Sequence, residues 1–498
     1  MAWEIRPQFL TANCNICKPP YRFAMCYHTE VPRNLDLDEL LKQNPPDFRC
    51  NSSLLYYFVS LIYRGNTGNE KIERDYFFTR LNAEYLKHIT AEYHQYLNYL
   101  EEQNIIVIDP HFINNALSRG YSFIPMYSAQ ARSITIHDKI LVAKLSKPFR
   151  KAGKPNIVST KSLPYLDKWF TPNLKIDYAA VKQHLRCIYQ EDLLAKPKYK
   201  DLKAYRRKTR VSLAEITKLI AIKRYNARLR PATEIQNSIN RTNIDSRVGR
   251  MHTPLTTIKK DFRQYISYNG ETLVALDLKN SQPYLSRILL KIEKFQTLEI
   301  SKILFLYNPN LKPLDARSIT LTDLITTESN ENDVVKFLNW VESGLFYEHF
   351  GKQLAITQGI TNMDDTELRD YAKKCTYAAF FCKDVVTSWN KVYNLFVSTF
   401  PTVAEIFRFI KYGDGYHNTL ACTLQYVESQ LFLHEICGSI AAKYPEAPIY
   451  TIHDSVVTTE AYKNRVKTEI ENIIHAKIGV MPIIDEEYWL KKVPVVAP

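Results

Sequence analysis

The chain has 498 residues, of which 45% are apolar, so it is long enough to form two or three domains with hydrophobic cores. It contains no run of about 18 apolar residues, which argues against a membrane-spanning helix. Residues 1–7 contain no hydrophobic signal segment, so we expect a cytoplasmic protein without membrane contact. The 66 Lys and Arg residues outnumber the 52 acidic residues, giving a net charge of +14. This excess is typical of proteins with a polyanionic partner, although some soluble basic proteins share it.

Residues 1–150 are predicted to form an N-terminal domain that resembles a winged helix. Ser53–Tyr63 predicts a buried helix, and a second helical pattern covers residues 93–100. A β-branched run at 105–108, an Asp-Pro turn and a strand-like stretch at 121–126 follow. Helix, strand, turn, strand is the order found in winged-helix domains, many of which bind DNA. We therefore favour nucleic-acid contact here, with a protein-binding module as the alternative.

Nine cysteines in a long chain of this kind do not indicate a disulfide framework. Cys14, Cys17, Cys26 and His28 are the residue types of a tetrahedral structural zinc site. The single residue between Cys26 and His28 is unusual spacing for zinc. We therefore favour reduced thiols without zinc, and keep the zinc site as the alternative.

Residues 146–164 have the Pro, Gly and basic composition of a linker, and residues 151–245 are predicted to form a basic helical region. Only Asp201 and Glu215 oppose a dense group of cations in this region. These cations are Lys198, Lys200, Lys203, Arg206, Arg207, Lys208, Arg210, Lys218, Lys223, Arg224 and Arg228. Such density predicts a surface that follows the phosphates of a nucleic acid.

After residue 246 the chain alternates short apolar strands with long helices, which predicts α+β architecture. One apolar run, Leu273–Leu276, ends in Asp277, and another leads into Asp454 within a predicted hairpin. Each aspartate alone is a common turn residue. Together, two carboxylates at neighbouring strand ends can bridge two Mg²⁺ ions about 4 Å apart, the arrangement that catalyses phosphoryl transfer.

Between these strands a predicted helix carries Arg369, Lys373, Tyr377 and Phe381, each four residues after the last. Steps of four turn by only about 40° each, so the four side chains share one face that spans about 18 Å. Its cationic end can bind a triphosphate while its aromatic end packs on a sugar and base. The alternative is a helix with two solvated cations and two core aromatics.

Four segments in this order resemble the motifs of the family A polymerase superfamily, which contains repair-type and phage DNA polymerases and single-subunit phage RNA polymerases. The resemblance covers residues 245–465. The segments are Gly249–Leu255 with Phe262 and Arg263, Leu276–Gln282, Arg369–Phe381 and His453–Ser455. The resemblance implies a right-hand fold, with palm and fingers at 246–498 and the basic helices at 151–245 in the place of the thumb.

The resemblance also implies a role for individual residues. Asp277 and Asp454 would bind two Mg²⁺ ions, for which Mn²⁺ could substitute, and Lys373 would donate a proton to the leaving pyrophosphate. The other implied contacts are Arg250 and Arg263 near the primer terminus and palm, Gln282 at the sugar, Arg369, Tyr377 and Phe381 at the incoming nucleotide, Gln425 with Glu428 on a template-contacting helix, and His453 beside the primer end. The partners would be a primer-template and nucleoside triphosphates, and the sequence leaves the oligomeric state open.

This chain departs from the family pattern at several points. Cys382 follows Phe381 where a glycine is usual, and Ser455 follows Asp454 where many DNA polymerases have an acid. No Asp-x-Glu exonuclease pattern with its companion acids is evident, and the N-terminal region is too small for the family's exonuclease domain, so we expect no proofreading. The small size is typical of an enzyme from a phage or other mobile element.

Gln282 bears on which sugar the enzyme accepts. DNA polymerases of this superfamily carry a glutamate there that blocks a 2′-hydroxyl, and glutamine has nearly the same volume. Phe381 lacks the tyrosine hydroxyl that RNA-making relatives use, whereas Ser281 and Ser455 read more like those relatives. We therefore predict a deoxynucleotide-selective polymerase. The alternatives are a single-subunit RNA polymerase or primase-like enzyme, and a non-catalytic replication-initiator or defence protein that binds nucleic acid.

Overall fold

The computed structural model describes residues 26–67, 78–109, 118–127, 129, 131–145, 163–195, 212–238, 242–312, 321–328, 331–382, 391–413 and 415–490. In these ranges the chain mixes helices with antiparallel sheets, as the α+β prediction requires. It divides into two compact units. Unit 1 comprises Met1–Lys154, Phe170–Thr242 and Thr257–Ile266, and unit 2 comprises Pro155–Trp169, Asn243–Thr256 and Ser267–Pro498. No helix in these ranges is long and apolar enough to cross a bilayer.

The N-terminal part of unit 1 contains five strands and five helices in the described ranges. In chain order these are β1 (Tyr27–Pro32), α1 (Leu37–Gln43), α2 (Ser52–Thr67), β2 (Thr79–Arg80), α3 (Ala83–Ile89), α4 (Tyr93–Glu102), β3 (Ile106–Asp109), β4 (Gly120–Phe123), a 3-10 turn (Pro125–Tyr127), β5 (Ala131–Ile136) and α5 (Lys139–Leu145). The helices predicted at 53–63 and 93–100 are confirmed as parts of α2 and α4. The two predicted strands correspond to β3 and β4, which pair antiparallel with Ile106 opposite Phe123. The winged-helix interpretation stays a prediction.

The basic helical region clusters with the N-terminal residues. Helix α6 (Pro164–Asp167) belongs to unit 2, whereas β6 (Leu174–Ile176), α7 (Tyr178–Leu194) and α8 (Leu213–Gln236) belong to unit 1. Helix α8 packs against both α7 and α2, and for this reason residues 170–242 do not form a unit of their own. Arg224 and Arg228 both bind Asp192, at 2.7 and 2.6 Å. Residues 196–211, which hold most of the predicted phosphate-tracking cations, lie outside the described residues.

The predicted zinc ligands fall partly outside the described residues. Cys14 and Cys17 are not among them. Cys26 Sγ lies 3.6 Å from His28 Nε2, and His28 Nδ1 lies 3.0 Å from Thr135 Oγ1. The zinc site therefore stays an untested alternative.

Unit 2 holds the strands predicted to carry the aspartates and the helices between them. After α6 its elements are β7 (Asn243–Ile244), β8 (Met251–His252), α9 (Pro254–Thr257), β9 (Ile266–Tyr268), β10 (Glu271–Leu278), α10 (Ser281–Ser286), α11 (Ile292–Thr297), α12 (Ile300–Tyr307), α13 (Leu321–Glu328), α14 (Asn332–Glu342), α15 (Phe346–Gln358), α16 (Asp365–Phe381), α17 (Lys391–Thr399), α18 (Pro401–Ile410), α19 (Thr419–Ser429), a π-helical segment (Gln430–Ile436), α20 (Cys437–Lys443), β11 (Tyr450–Ile452), β12 (Ser455–Thr459), α21 (Lys463–Ile478) and β13 (Ile484–Tyr488). Short 3-10 turns occur at Lys260–Tyr265, which lies in unit 1, and at Arg287–Leu289, Pro309–Leu311 and Glu460–Tyr462.

Strand β10 is the centre of the sheet in unit 2. It pairs antiparallel with β12 on one side and with β13 and β9 on the other, and β11 completes a hairpin with β12. Leu273–Leu276 are buried, which explains why this run of β10 is apolar on both faces. The sheet therefore fixes the end of β10 beside the β11–β12 turn.

A cluster of aromatic side chains joins the helices of unit 2. Phe337 on α14 lies against rings from four other helices, at centroid distances of 5.3 to 6.4 Å. One of them is Phe380 of α16, which is fully buried, whereas the next residue, Phe381, is only partly buried. The core therefore holds the C-terminal end of α16, whereas Lys373, two turns earlier on the helix, is exposed.

Candidate active site

The two predicted metal-binding aspartates lie on adjacent segments of the unit 2 sheet. Asp277 is the seventh residue of β10 and lies opposite Ser455 of β12 in the antiparallel register. Asp454 occupies the turn between β11 and β12, immediately before Ser455. The Leu278 N–H donates to the Asp454 carbonyl at 3.1 Å. Main-chain hydrogen bonds thus bring the two carboxylates together, as predicted.

Left-handed residues shape the chain next to both aspartates. His453 has φ 57° and Asn280, three residues after Asp277, has φ 54°. Asn and His adopt this conformation more readily than most residues, although it costs each of them free energy. Asn280 starts the turn into α10 and so places Ser281, whose hydroxyl donates a hydrogen bond to the Asp454 carboxylate. Ser281 therefore fixes the orientation of one of the two carboxylates.

Burial and neighbouring charges change the pKa of Asp277. Burial and the neighbouring charge of Asp454 raise the pKa of Asp277 from 3.8 to about 7, and Lys373 opposes this rise. Two further acids on β13 act in the same direction as Asp454, namely Asp485, which lies opposite Asp277 in register, and Glu487. Sequence reasoning missed both, because only the pairing of β13 with β10 brings them here. The site therefore carries a local excess of negative charge.

Helix α16 presents the predicted row of side chains. Asp364 and Glu367 form a capping box at its N-terminus, which explains where the helix begins. Lys373 is exposed, and its charge is close enough to lower the pKa of Asp277. Further along the helix, the rings of Tyr377 and Phe381 stack at a centroid distance of 5.9 Å. The predicted helix is confirmed, and Lys373 lies close to the carboxylates, whereas Phe381 packs against the hydrophobic core of unit 2, as the alternative expected.

Two residues of α15 that the sequence did not indicate contact this row. Glu348 accepts a hydrogen bond from Arg369 Nε at 2.9 Å, and the Arg369 guanidinium lies 5.6 Å from the Tyr347 ring. The Tyr347 hydroxyl is hydrogen-bonded to that of Tyr377. Burial raises the pKa of both tyrosines, and the charge of Asp454 raises them further. The Arg369 guanidinium is thus held by a carboxylate of the neighbouring helix α15.

Arg250 reaches the site from the loop between β7 and β8. Asp245 shapes this loop by accepting hydrogen bonds from the N–H groups of Arg247, Val248 and Arg250, and Gly249 supplies the left-handed turn with φ 76°. The Arg250 side chain then donates to Glu428 Oε1 from Nε at 3.0 Å and from Nη2 at 2.6 Å.

Gln282 of α10 donates to the other oxygen of the same carboxylate. Glu428 is 1% exposed and Gln282 is 4% exposed. Burial raises the pKa of Glu428 to about 7, although Arg250 and Gln282 act to lower it. Three predicted contact residues therefore form one hydrogen-bonded group.

The remaining predicted residues, His453, Gln425 and Arg263, lie in different elements. His453 is in the turn beside Asp454, with its ring 6.4 Å from that of His252. Gln425 is half-buried on α19, one turn before Glu428. Arg263 lies in the 3-10 turn of unit 1 and so is not among the residues gathered in unit 2. Its role near the primer terminus stays a prediction.

The pair Asp277 and Asp454 fits a divalent cation of the Mg²⁺ type. Carboxylate oxygens are the ligands that Mg²⁺ prefers, and a cation between them would offset the repulsion that raises the pKa of Asp277. Within the described ranges, no group of three or more His, Cys, Asp or Glu side chains is placed to hold a metal ion. The protein would therefore supply two carboxylates, and the substrate and water would supply the other ligands.

We compared the chain with protein families, curated proteins and solved structures. No family model and no curated protein matches the chain. Among solved structures, the chain is similar to the polymerase domain of Pol1 from M. smegmatis in complex with DNA primer-template and dNTP. The two share 12% identity over 65% of this chain and 69% of that chain, with a TM-score of 0.33.

The raised pKa of Asp277 predicts how stability depends on pH without metal. The folded state retains a proton on Asp277 from pH 3.8 to about pH 7, whereas the unfolded chain loses it near pH 3.8. The free energy of unfolding should therefore fall as pH rises through this window. Asp277→Asn removes this titrating carboxylate. The stability of the variant relative to the wild type should therefore increase from about pH 4 to about pH 8.

Urea denaturation in the presence of a chelator measures this difference. Asp47→Asn, which removes an exposed carboxylate from unit 1, is the control and should run parallel to the wild type. Parallel curves for Asp277→Asn and the wild type would contradict the electrostatic coupling of the two carboxylates.

Proposed function

We propose that this protein is a template-directed nucleotidyltransferase that extends a primer 3′-end with deoxynucleoside triphosphates and releases pyrophosphate, without proofreading. The observation that carries the proposal is the pair Asp277 and Asp454 with Lys373 close enough to lower the pKa of Asp277. A binding module has no need for two mutually repelling carboxylates, because their repulsion works against folding. Two Mg²⁺ ions, when bound, would activate the 3′-hydroxyl and stabilise the charge of the leaving pyrophosphate.

The chain's own residues have separate tasks in this reaction. Asp277 and Asp454 hold the divalent cations, and Ser281 keeps the Asp454 carboxylate oriented. Lys373 stabilises the charge that develops on the transferring phosphoryl group and donates a proton to pyrophosphate. The reaction is an in-line displacement without a covalent intermediate, so positioning and charge stabilisation supply the rate enhancement.

The rest of the group binds the nucleotide and the primer. Arg369 leaves Glu348 to bind the triphosphate, and the stacked Tyr377 and Phe381 pack on the sugar and base. Gln282 fills the space next to the 2′ carbon, and Arg250 contacts the primer end. Gln425 and His453 complete the contacts with template and primer, in a right-hand arrangement of palm, fingers and thumb.

Primer extension with Asp277→Asn and Asp454→Asn tests the proposal. An amide keeps the shape of the side chain but loses the charge that holds the metal, so each variant should lose at least about a thousandfold in extension rate. Primer-template binding should change little, and neither variant should melt at a lower temperature than the wild type. Glu293→Gln, which removes an exposed carboxylate from α11 in the same unit, should extend normally. Near wild-type extension by either aspartate variant would show that its carboxylate has been wrongly assigned, and an inactive wild type would favour the non-catalytic binding protein.

The two cations of α16 should affect different kinetic constants. Lys373→Ala should lower kcat by about a hundredfold or more, because it removes a charge that stabilises the transferring phosphoryl group. Arg369→Ala should mainly raise KM for the nucleotide. Lys374→Ala is a matched control, since Lys374 is the next residue and is also exposed on the helix. Unchanged constants in both variants, measured by single-nucleotide incorporation, would mean that this face of α16 does not bind the triphosphate.

Sugar preference should depend on the volume of Gln282. Gln282→Gly should raise ribonucleotide use relative to deoxynucleotide use more than about tenfold, equivalent to about 1.4 kcal/mol in transition-state binding. The readout is a ratio of kcat/KM values for one preparation, so it does not depend on the fraction of folded enzyme. Equal use of both sugars by the wild type, or an unaltered ratio in the variant, would instead favour a single-subunit RNA polymerase.

A further inference from the structure

Glu428 is a buried carboxylate shared by two residues of the site. It lies at the end of α19 and is 1% exposed. One of its oxygens accepts two hydrogen bonds from Arg250, and the other accepts one from Gln282. These three residues come from the loop before β8, from α10 and from α19. A single carboxylate therefore connects three separate elements.

Such a group is a poor way to gain stability. Removing a carboxylate and a guanidinium from water costs free energy that their attraction only partly returns. An apolar contact between α10 and α19 would stabilise the fold at least as well. A different buried glutamate in unit 2, Glu469, binds Lys443, which is 56% exposed, and Ser439. Unlike Glu469, Glu428 is hydrogen-bonded to two residues of the proposed site, Arg250 and Gln282.

The bond to Glu428 determines the orientation of the Gln282 amide. Since a carboxylate only accepts hydrogen bonds, Nε2 must face Glu428, and Oε1 must face the other way. In the described part of the chain, Oε1 is buried and has no hydrogen-bond partner. A glutamine side chain free to change rotamer would not exclude a hydroxyl reliably, because it could move aside. Glu428 removes that freedom.

We propose that Glu428 is a positioning residue for sugar selection: it holds Gln282 against the 2′ position of the incoming nucleotide and holds Arg250 at the primer end. This inference rests on the proposed polymerase function and deepens it. Glu428 itself does not touch the reacting atoms. It acts through the two side chains that it fixes, so its loss should change which nucleotide is used more than it changes the fold.

Glu428→Gln tests the inference, because it keeps the size of the side chain and removes the charge. We expect the preference for deoxynucleotides over ribonucleotides, as a ratio of kcat/KM values, to fall at least about fivefold. Gln282→Glu should also lower the ratio, because it brings two carboxylates into contact. The exchanged pair, Gln282→Glu with Glu428→Gln, restores an acid–amide hydrogen bond between the same positions. It should recover most of the preference, as expected for residues that interact directly.

Glu469→Gln is the matched control and should leave the ratio unchanged, since it also replaces a buried, bonded glutamate of unit 2. If Glu428→Gln does not fold, Arg250→Lys tests the inference in its place. A lysine keeps the charge but loses the paired hydrogen bonds to Glu428. A fall in the ratio for Arg250→Lys supports the inference, and an unchanged ratio overturns it. An unchanged ratio in a folded Glu428→Gln variant overturns the inference alone, provided that the wild type extends primers. A wild type that does not extend primers overturns the proposed function, and this inference with it.

Discussion

Asp277 and Asp454 repel each other, and the fold does not allow them to separate. Asp277 is held in β10 by strands on both sides, and the turn with Asp454 is held by the β11–β12 hairpin and by the N–H of Leu278. The repulsion therefore has to be balanced by charge. Lys373 provides part of this balance, and divalent cations would provide the rest. The sheet, the turn and the cationic face of α16 can all be understood as the parts needed to hold two like charges at one place.

The helices of unit 2 supply the rigidity that this arrangement needs. The aromatic cluster around Phe337 fixes α16 through Phe380, and Lys373, two turns earlier on the helix, stays exposed. The buried group of Arg250, Gln282 and Glu428 joins the loop before β8, α10 and α19. Helix α16 is thus held by apolar packing, and these three elements are joined by a charged hydrogen-bond network. The network specifies orientation more strictly, because hydrogen bonds depend on direction and apolar contacts do not.

Local patterns in the sequence predicted the parts of the site that local physics determines. The apolar runs before Asp277 and Asp454 predicted buried strands, and the spacing of four residues from Arg369 predicted a helix. Both are confirmed. Contacts between distant segments could not be predicted in this way. Nothing in the sequence around Tyr347 or Asp485 indicates that α15 would contact α16 or that β13 would pair with β10. The left-handed conformation of His453 could not be predicted either, since Gly, Asn and Asp are the usual signals for a turn and histidine is not.

We propose that Asp277 and Asp454 together bind the catalytic metal ions. Anomalous X-ray scattering from Mn²⁺ tests this in crystals of the protein with a primer-template and a non-hydrolysable deoxynucleotide. We expect an anomalous peak within about 2.5 Å of a carboxylate oxygen from each aspartate. Mn²⁺ bound with neither aspartate as a ligand, beside a correctly bound nucleotide, would contradict it.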